Sequence, residues 1–253
     1  MTNKPKFISI TSQKGGIGKS TITSVVCSFL HYKYGYNVAV IDCDEYQGSI
    51  FKMRERDREI NTSSPEKIKA LKNYFTQLGK KAYPIERSSL ADALKMAENL
   101  IANDHLRYDF IFFDFPGSVG PNDLLPTVAA LDHLFCPITA DIFTLESTLS
   151  FSRLLIDHVI HSGDQQLKSI HLFWNQVDNR ESSHLYDVYD KYLAEQGIPL
   201  MKVFLPKQVR FTREETYNTG VFFRSSYFIP DKSFIPGSNI ETFIAEMLQI
   251  IQK

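Results

Sequence analysis

The chain has 253 residues, 43% of them hydrophobic and 23% charged, with 28 Lys or Arg against 29 Asp or Glu and a net charge of -1. That is long and apolar enough to bury a sizeable core, and with no run of about eighteen apolar residues it excludes disordered, fibrous and membrane-spanning classes. Cys27, Cys43 and Cys136 sit in apolar surroundings without C-x-x-C spacing, which argues against disulfides, an iron-sulfur cluster or structural zinc.

In chain order, MTNKPKFISI carries none of the zones of a signal peptide and runs straight into a first strand, FISIT (Phe7 to Thr11), which predicts a cytoplasmic protein. A glycine-rich loop, SQKGGIGKST, follows and leads into a helical pattern from Lys19 to Tyr34. A second strand, NVAVID (Asn37 to Asp42), ends in IDCDEYQGS. Between Lys52 and Arg87 stand ten Lys or Arg against five Asp or Glu, a mixed run that reads as a solvated helix face. Then come a helix from Leu90 to Ala102 and a strand, YDFIFFD (Tyr108 to Asp114), followed by HLFCPI (His133 to Ile138). A helix from Leu145 to His161, the strand SIHLFW (Ser169 to Trp174) and a helix from Ser182 to Gln196 continue the alternation. The strand KVFL (Lys202 to Leu205) and a closing helix from about Asn239 to Ile251 complete it. Alternating strands and helices of these lengths imply right-handed βαβ units: an α/β fold with a mostly parallel twisted sheet, helices on both faces, in one domain over residues 1–253. Ligands of such sheets gather at the carboxyl ends of the strands, where each chemically suggestive segment begins.

The loop satisfies most of the phosphate-binding pattern. Gly15, Gly16 and Gly18, with Ile17 between them, let successive N–H groups turn inward, and the helix opening at Lys19 adds its positive end. Lys19 is placed to reach the β- and γ-phosphates, Ser20 to put its hydroxyl on Mg²⁺, and Thr21 closes the motif. Two features depart from the ordinary loop: Gln13 stands where a glycine is expected, and Lys14 is a second lysine just ahead of the glycines. Asp42 and Asp44 alternate at a strand end, which suits one to Mg²⁺ and the other to an attacking water, and equally suits a turn or a helix cap. Asp114, at the end of a buried apolar strand, has the Walker B position of a metal anchor, and the Gly117 to Gly120 loop behind it has the character of a switch.

K-G-G-x-G-K-[ST] with Lys14 as its early lysine, together with D-x-D-x-x-Q-G (Asp42, Asp44, Gln47, Gly48), the D-x-P of Asp114 and Pro116, and LPKQVRFTREETYNTG, resembles the deviant Walker A ATPases of the ParA and MinD family over nearly the whole chain. The resemblance implies a P-loop ATPase using ATP and Mg²⁺, forming a homodimer with ATP in which Lys14 contacts the nucleotide of the other subunit. It assigns Asp44 to water activation, Asp42 and Asp114 to the metal side, and Pro206 and Asn175 to the adenine side. Arg180 and Arg210 match positions that contact DNA non-specifically, and a ParB-like stimulating protein would be the partner. Glu45 in place of proline and Phe115-Pro116-Gly117 in place of T-P-P depart from the pattern. Glu45 and the charged segment resemble ParA-like proteins of conjugative mobile elements.

Membrane cycling of the MinD kind would need a basic polar face on the closing helix, which instead offers Glu241, Glu246 and Gln249, so a membrane partner is not expected and the helix should pack in the core. Small-molecule ligases of the dethiobiotin synthetase type, the distant alternative, lack the early lysine. DNA partition, maintenance or conjugative transfer is therefore the expected process.

Overall fold

The computed structural model describes residues 4–103, 106–117, 120–160, 166–178, 183–208 and 223–252. Seven parallel strands form its centre: β1 (Lys6–Ile10), β2 (Val38–Asp42), β3 (Ile85–Arg87), β4 (Phe110–Asp114), β5 (His133–Ile138), β6 (Ser169–Val177) and β7 (Leu205–Pro206). Their order is β3-β2-β4-β1-β5-β6-β7, so the chain departs from β1 toward one edge and returns to fill the other, leaving a crevice beyond the end of β1.

Period-two alternation sorts each strand onto two cores. Ile8 and Ile10, Val38 and Val40, Phe110 and Phe112 face one side, where they meet Ile22, Val25 and Val26 of α1 (Lys19–Ser28) and the closing helix α8 (Ile240–Ile251). Ala39, Ile41, Ile111 and Phe113 face the other, against α4 (Ala93–Asn103), α5 (Pro121–Ala129), α6 (Ile142–Leu155) and α7 (Ser183–Glu195). Strands buried on both faces read as continuous apolar runs for this reason. The apolar side of α8 (Ile240, Phe243, Ile244, Met247 and Ile251) is wholly in the core, as its acidic polar side suggested. Among the described residues, no helix is long and apolar enough to cross a membrane, and all three cysteines are buried and free.

Several elements differ from the sequence expectation. The charged segment folds as α2 (Ser49–Asn61) and α3 (Pro65–Leu78), the latter begun by Ser64, whose side chain accepts from Lys67 N, with Pro65 in the first turn and closed by Gly79. α2 is more than a solvated face, since Asp57 is fully buried. β3 is a three-residue edge strand paired to β2, too short to announce itself. The strand expected at Lys202 to Leu205 is reduced to Leu205–Pro206, because the amides of Lys202 and Val203 donate to the Glu246 carboxylate of α8, both at 2.8 Å, instead of to β6.

Candidate functional site

The loop between β1 and α1 is shaped by two glycines with left-handed backbone, Gly16 (φ 79°) and Gly18 (φ 86°), a conformation that a side chain would strain. Lys19, the first residue of α1, is only 6% exposed and donates from Nζ to the Lys14 carbonyl at 2.7 Å. Burial lowers its pKa from the ordinary lysine value, opposed by the nearby Asp114 and Asp44 carboxylates.

Sheet pairing sets Asp42 directly beside Asp114 on adjacent strands. Their roles diverge from there. Asp42 is fully buried and its oxygens accept from three backbone amides: Asp44 N at 3.2 Å, and Ile50 N and Phe51 N at 3.0 Å each, in the first turn of α2. It acts as a cap across a loop, restraining the turn that carries Asp44. Burial raises its pKa, with those amides opposing. Asp44 accepts from Gln47 N at 2.8 Å and lines the cleft in front of the glycine loop.

Asp114 is buried with Oδ1 lacking a hydrogen-bond partner, although the Ser20 hydroxyl bonds the carboxyl group. Burial pushes its pKa up to about 7; the Ser20 hydrogen bond works against this and the Asp42 charge adds to it. A buried carboxylate oxygen without a donor, beside the hydroxyl of a serine that lines the phosphate cleft, suits a hard divalent ion that takes its remaining oxygens from phosphate and water. Among the described residues no group of three or more His, Cys, Asp or Glu is placed to hold a metal ion.

Gly117 touches this loop from the far side. A Cβ there would lie 2.8 Å from Gly15 Cα and 2.9 Å from Lys19 Nζ, so the segment after Asp114 and the phosphate loop are in direct contact. Ser118 and Val119 of the expected switch lie outside the described residues, as do Arg180 and Arg210, the two expected DNA contacts.

Two cavities of about 410 Å³ each flank the loop. One holds Lys19, Ser20, Asp44 and Gly117, and is lined by polar groups suited to phosphate. The other holds Ile17, Asn175, Leu205 and Pro206, apolar walls suited to a base. Asn175 is buried and donates from Nδ2 to Ile17 O at 2.6 Å, tying the end of β6 to the loop. Beyond it Gln176 has a left-handed backbone (φ 56°) where β6 shifts register against β7, an irregularity of the kind found at ligand sites. The structure thus brings together Gly15, Gly16, Ile17, Gly18, Lys19, Ser20, Thr21, Asp44, Asp114, Asn175 and Pro206. It adds two residues that sequence reading missed, Asp141, which pairs with Lys14, and Arg224, which lines both cavities, each a lone charged residue outside any motif.

Comparison with known proteins agrees with this geometry. A family model described as the CobQ/CobB/MinD/ParA nucleotide binding domain matches residues 8–221. The chain belongs to this family. Within it, solved ParA and MinD proteins share its fold. A ParA family ATPase from Chlorobium tepidum TLS superposes with a TM-score of 0.61 at 14% identity, covering 97% of this chain and 98% of that one. A putative plasmid partition protein from Borrelia burgdorferi B31, bound to AMPPNP, gives 0.58 at 20% identity over 98% and 100%. The MinD cell division protein of Aquifex aeolicus gives 0.56 at 16% identity over 98% and 97%. The ParA/MinD-type chain thus has a P-loop α/β fold and a nucleotide-binding domain.

Proposed function

We propose that this ParA/MinD-type protein is an ATPase switch that dimerises with ATP and acts in the partition, maintenance or conjugative transfer of DNA. The observation that carries the reading is the division of labour between the two loop lysines. Lys19 is buried in the phosphate cleft, whereas Lys14 is exposed and its ammonium pairs with Asp141 at 3.1 Å. A lysine facing outward at the mouth of its own site is available to a second copy of the chain, where it would stabilise charge on that subunit's nucleotide.

In this reading the glycine loop and Lys19 bind the phosphates, and Asn175 and Pro206 enclose the base. Ser20 and Asp114 would hold Mg²⁺, which when bound offsets phosphate charge, and Asp42 supports the Asp44 turn. Asp44 orients the attacking water and accepts its proton, and the Gly117 contact reports the state of the loop to the switch. A face-to-face dimer doubles weak surface contacts, so Arg180 and Arg210 would bind duplex DNA of any sequence chiefly in the ATP state. A ParB-like protein would stimulate turnover. The buried apolar face of α8 favours DNA over a membrane as the surface.

The test is light scattering after size exclusion, with ADP or a non-hydrolysable ATP analogue, with and without plasmid DNA. A dimer only with the analogue, bound to DNA with steep salt dependence, is expected. A monomer under every condition would overturn the switch, and an ATP dimer that ignores DNA at low salt would overturn the DNA role.

A further inference from the structure

A nucleotide lying along the glycine loop must pass from the base-side cavity into the phosphate cleft, and four residues line both: Gly16, Gly18, Thr21 and Arg224. Arg224 alone among them is charged. Its Nη1 donates to Thr21 Oγ1 at 2.9 Å, holding the guanidinium one residue beyond the serine of the phosphate motif. The β- and γ-phosphates belong with Lys19, deeper in the cleft, so the junction corresponds to the α-phosphate next to the ribose.

The backbone that presents this arginine is unusually well secured. Asp57 of α2 accepts at Oδ2 from Ser226 N at 2.6 Å and from the hydroxyls of Ser225 at 3.0 Å and Ser226 at 2.9 Å. Arg54, one turn earlier, donates to Ser226 Oγ at 2.8 Å and Ser226 O at 3.0 Å, and its guanidinium stacks against Tyr83 and Tyr227. From α1, Ser28 donates to the Ser225 carbonyl at 2.8 Å. A buried carboxylate that takes three donors from one short segment, with Arg56 pairing its other oxygen at 3.3 Å, fixes that segment far more firmly than solvent would. α2 itself starts from the turn capped by Asp42, so the same helix joins the Asp44 turn to Arg224.

We infer that Arg224 is a nucleotide-binding residue acting in cis on the α-phosphate, and that Asp57 is its positioning residue. The inference rests on the nucleotide-binding reading above. A guanidinium held in place before binding loses little freedom when it meets phosphate, and offers paired donors that a lysine does not.

Calorimetric titration with ADP isolates this contact, because it requires no second subunit. Wild-type protein, Arg224→Gln, Arg224→Lys and Asp57→Asn are compared, each confirmed folded by circular dichroism, with phosphorus NMR of bound ADP as a second readout. Arg224→Gln should weaken ADP binding about tenfold or more, the loss of one charge-assisted hydrogen bond, and move the α-phosphorus resonance more than the β. Arg224→Lys should recover part of the affinity, and Asp57→Asn should lose affinity with the arginine still present. Folded Arg224→Gln or Arg224→Lys protein that binds ADP as tightly as wild type, with an unchanged α-phosphorus resonance, overturns the role of Arg224. Should both arginine variants fail to fold, equal ADP affinity and equal α-phosphorus resonance in wild type and folded Asp57→Asn overturn the inference. No ADP binding by the wild type overturns the nucleotide reading itself.

Discussion

Lys14 Nζ stands 3.1 Å from Asp141 Oδ1, just before α6, while the Lys14 carbonyl receives the ammonium of Lys19 at 2.7 Å. One residue therefore serves its own loop through its backbone and turns its charge outward. Both partners are about half exposed, so the ion pair is worth only about 0.2–1 kcal/mol and is easily exchanged for another contact.

Lys14→Ala should leave ADP affinity near wild type and abolish dimerisation with a non-hydrolysable ATP analogue, since a contact made in trans cannot appear in monomer binding. Asp141→Asn releases the lysine and should tighten the dimer about two- to fivefold, the reciprocal of a weak surface pair. Sedimentation at several protein concentrations measures both. A loss of ADP affinity in Lys14→Ala comparable to that of Lys19→Ala would place the lysine in its own site.

Asp44→Ala is expected to bind ATP and accumulate as a dimer while phosphate release slows by about 10²-fold or more. The fold should tolerate the change, because Asp42 holds the same turn from below. Normal turnover would reduce Asp44 to its turn contact with Gln47 N.

The raised pKa of Asp114, about 7 against 3.8, gives a signed prediction for the nucleotide-free protein. Between those values the native state binds a proton that the unfolded chain has released, so this group's contribution makes stability fall as pH rises from about 4 to about 7 and level off above. Asp114→Asn should remove that slope, matching wild type near pH 4 and melting higher at pH 8. The same variant should lose most of the Mg²⁺ dependence of ATP binding. A variant whose melting temperature stays below wild type at pH 8 would show that the carboxylate is not paying a desolvation cost.

Gly117→Ala puts a methyl group 2.8 Å from Gly15 Cα, against backbone that cannot swing aside. The segment must shift, at a cost of about 1–3 kcal/mol in melting experiments, with weaker ADP binding. Gly120→Ala, whose Cβ meets nothing closer than 3.7 Å, is the control and should be nearly silent.

Much of this protein was legible without coordinates, for local reasons. A glycine-rich loop between an apolar strand and a helix has one economical conformation, and strands buried on both faces must read as FISI or FIFFD. The sheet, its carboxyl-end site, Lys19, Ser20 and the apolar face of α8 follow from spacing alone. The two readings of the Asp42 and Asp44 pair stayed open because a strand-end carboxylate has the same sequence context whether it caps a helix or faces a ligand. Only the tertiary structure shows the amides of α2, eight and nine residues ahead, donating to Asp42, and an oxygen of Asp114 buried without a donor. It turned Lys14 toward Asp141, 127 positions away, and delivered Arg224 to Thr21 across 203. No local pattern encodes such pairs; the parallel sheet brings the loop after β5 beside the loop after β1, and α2 holds the Arg224 segment against α1.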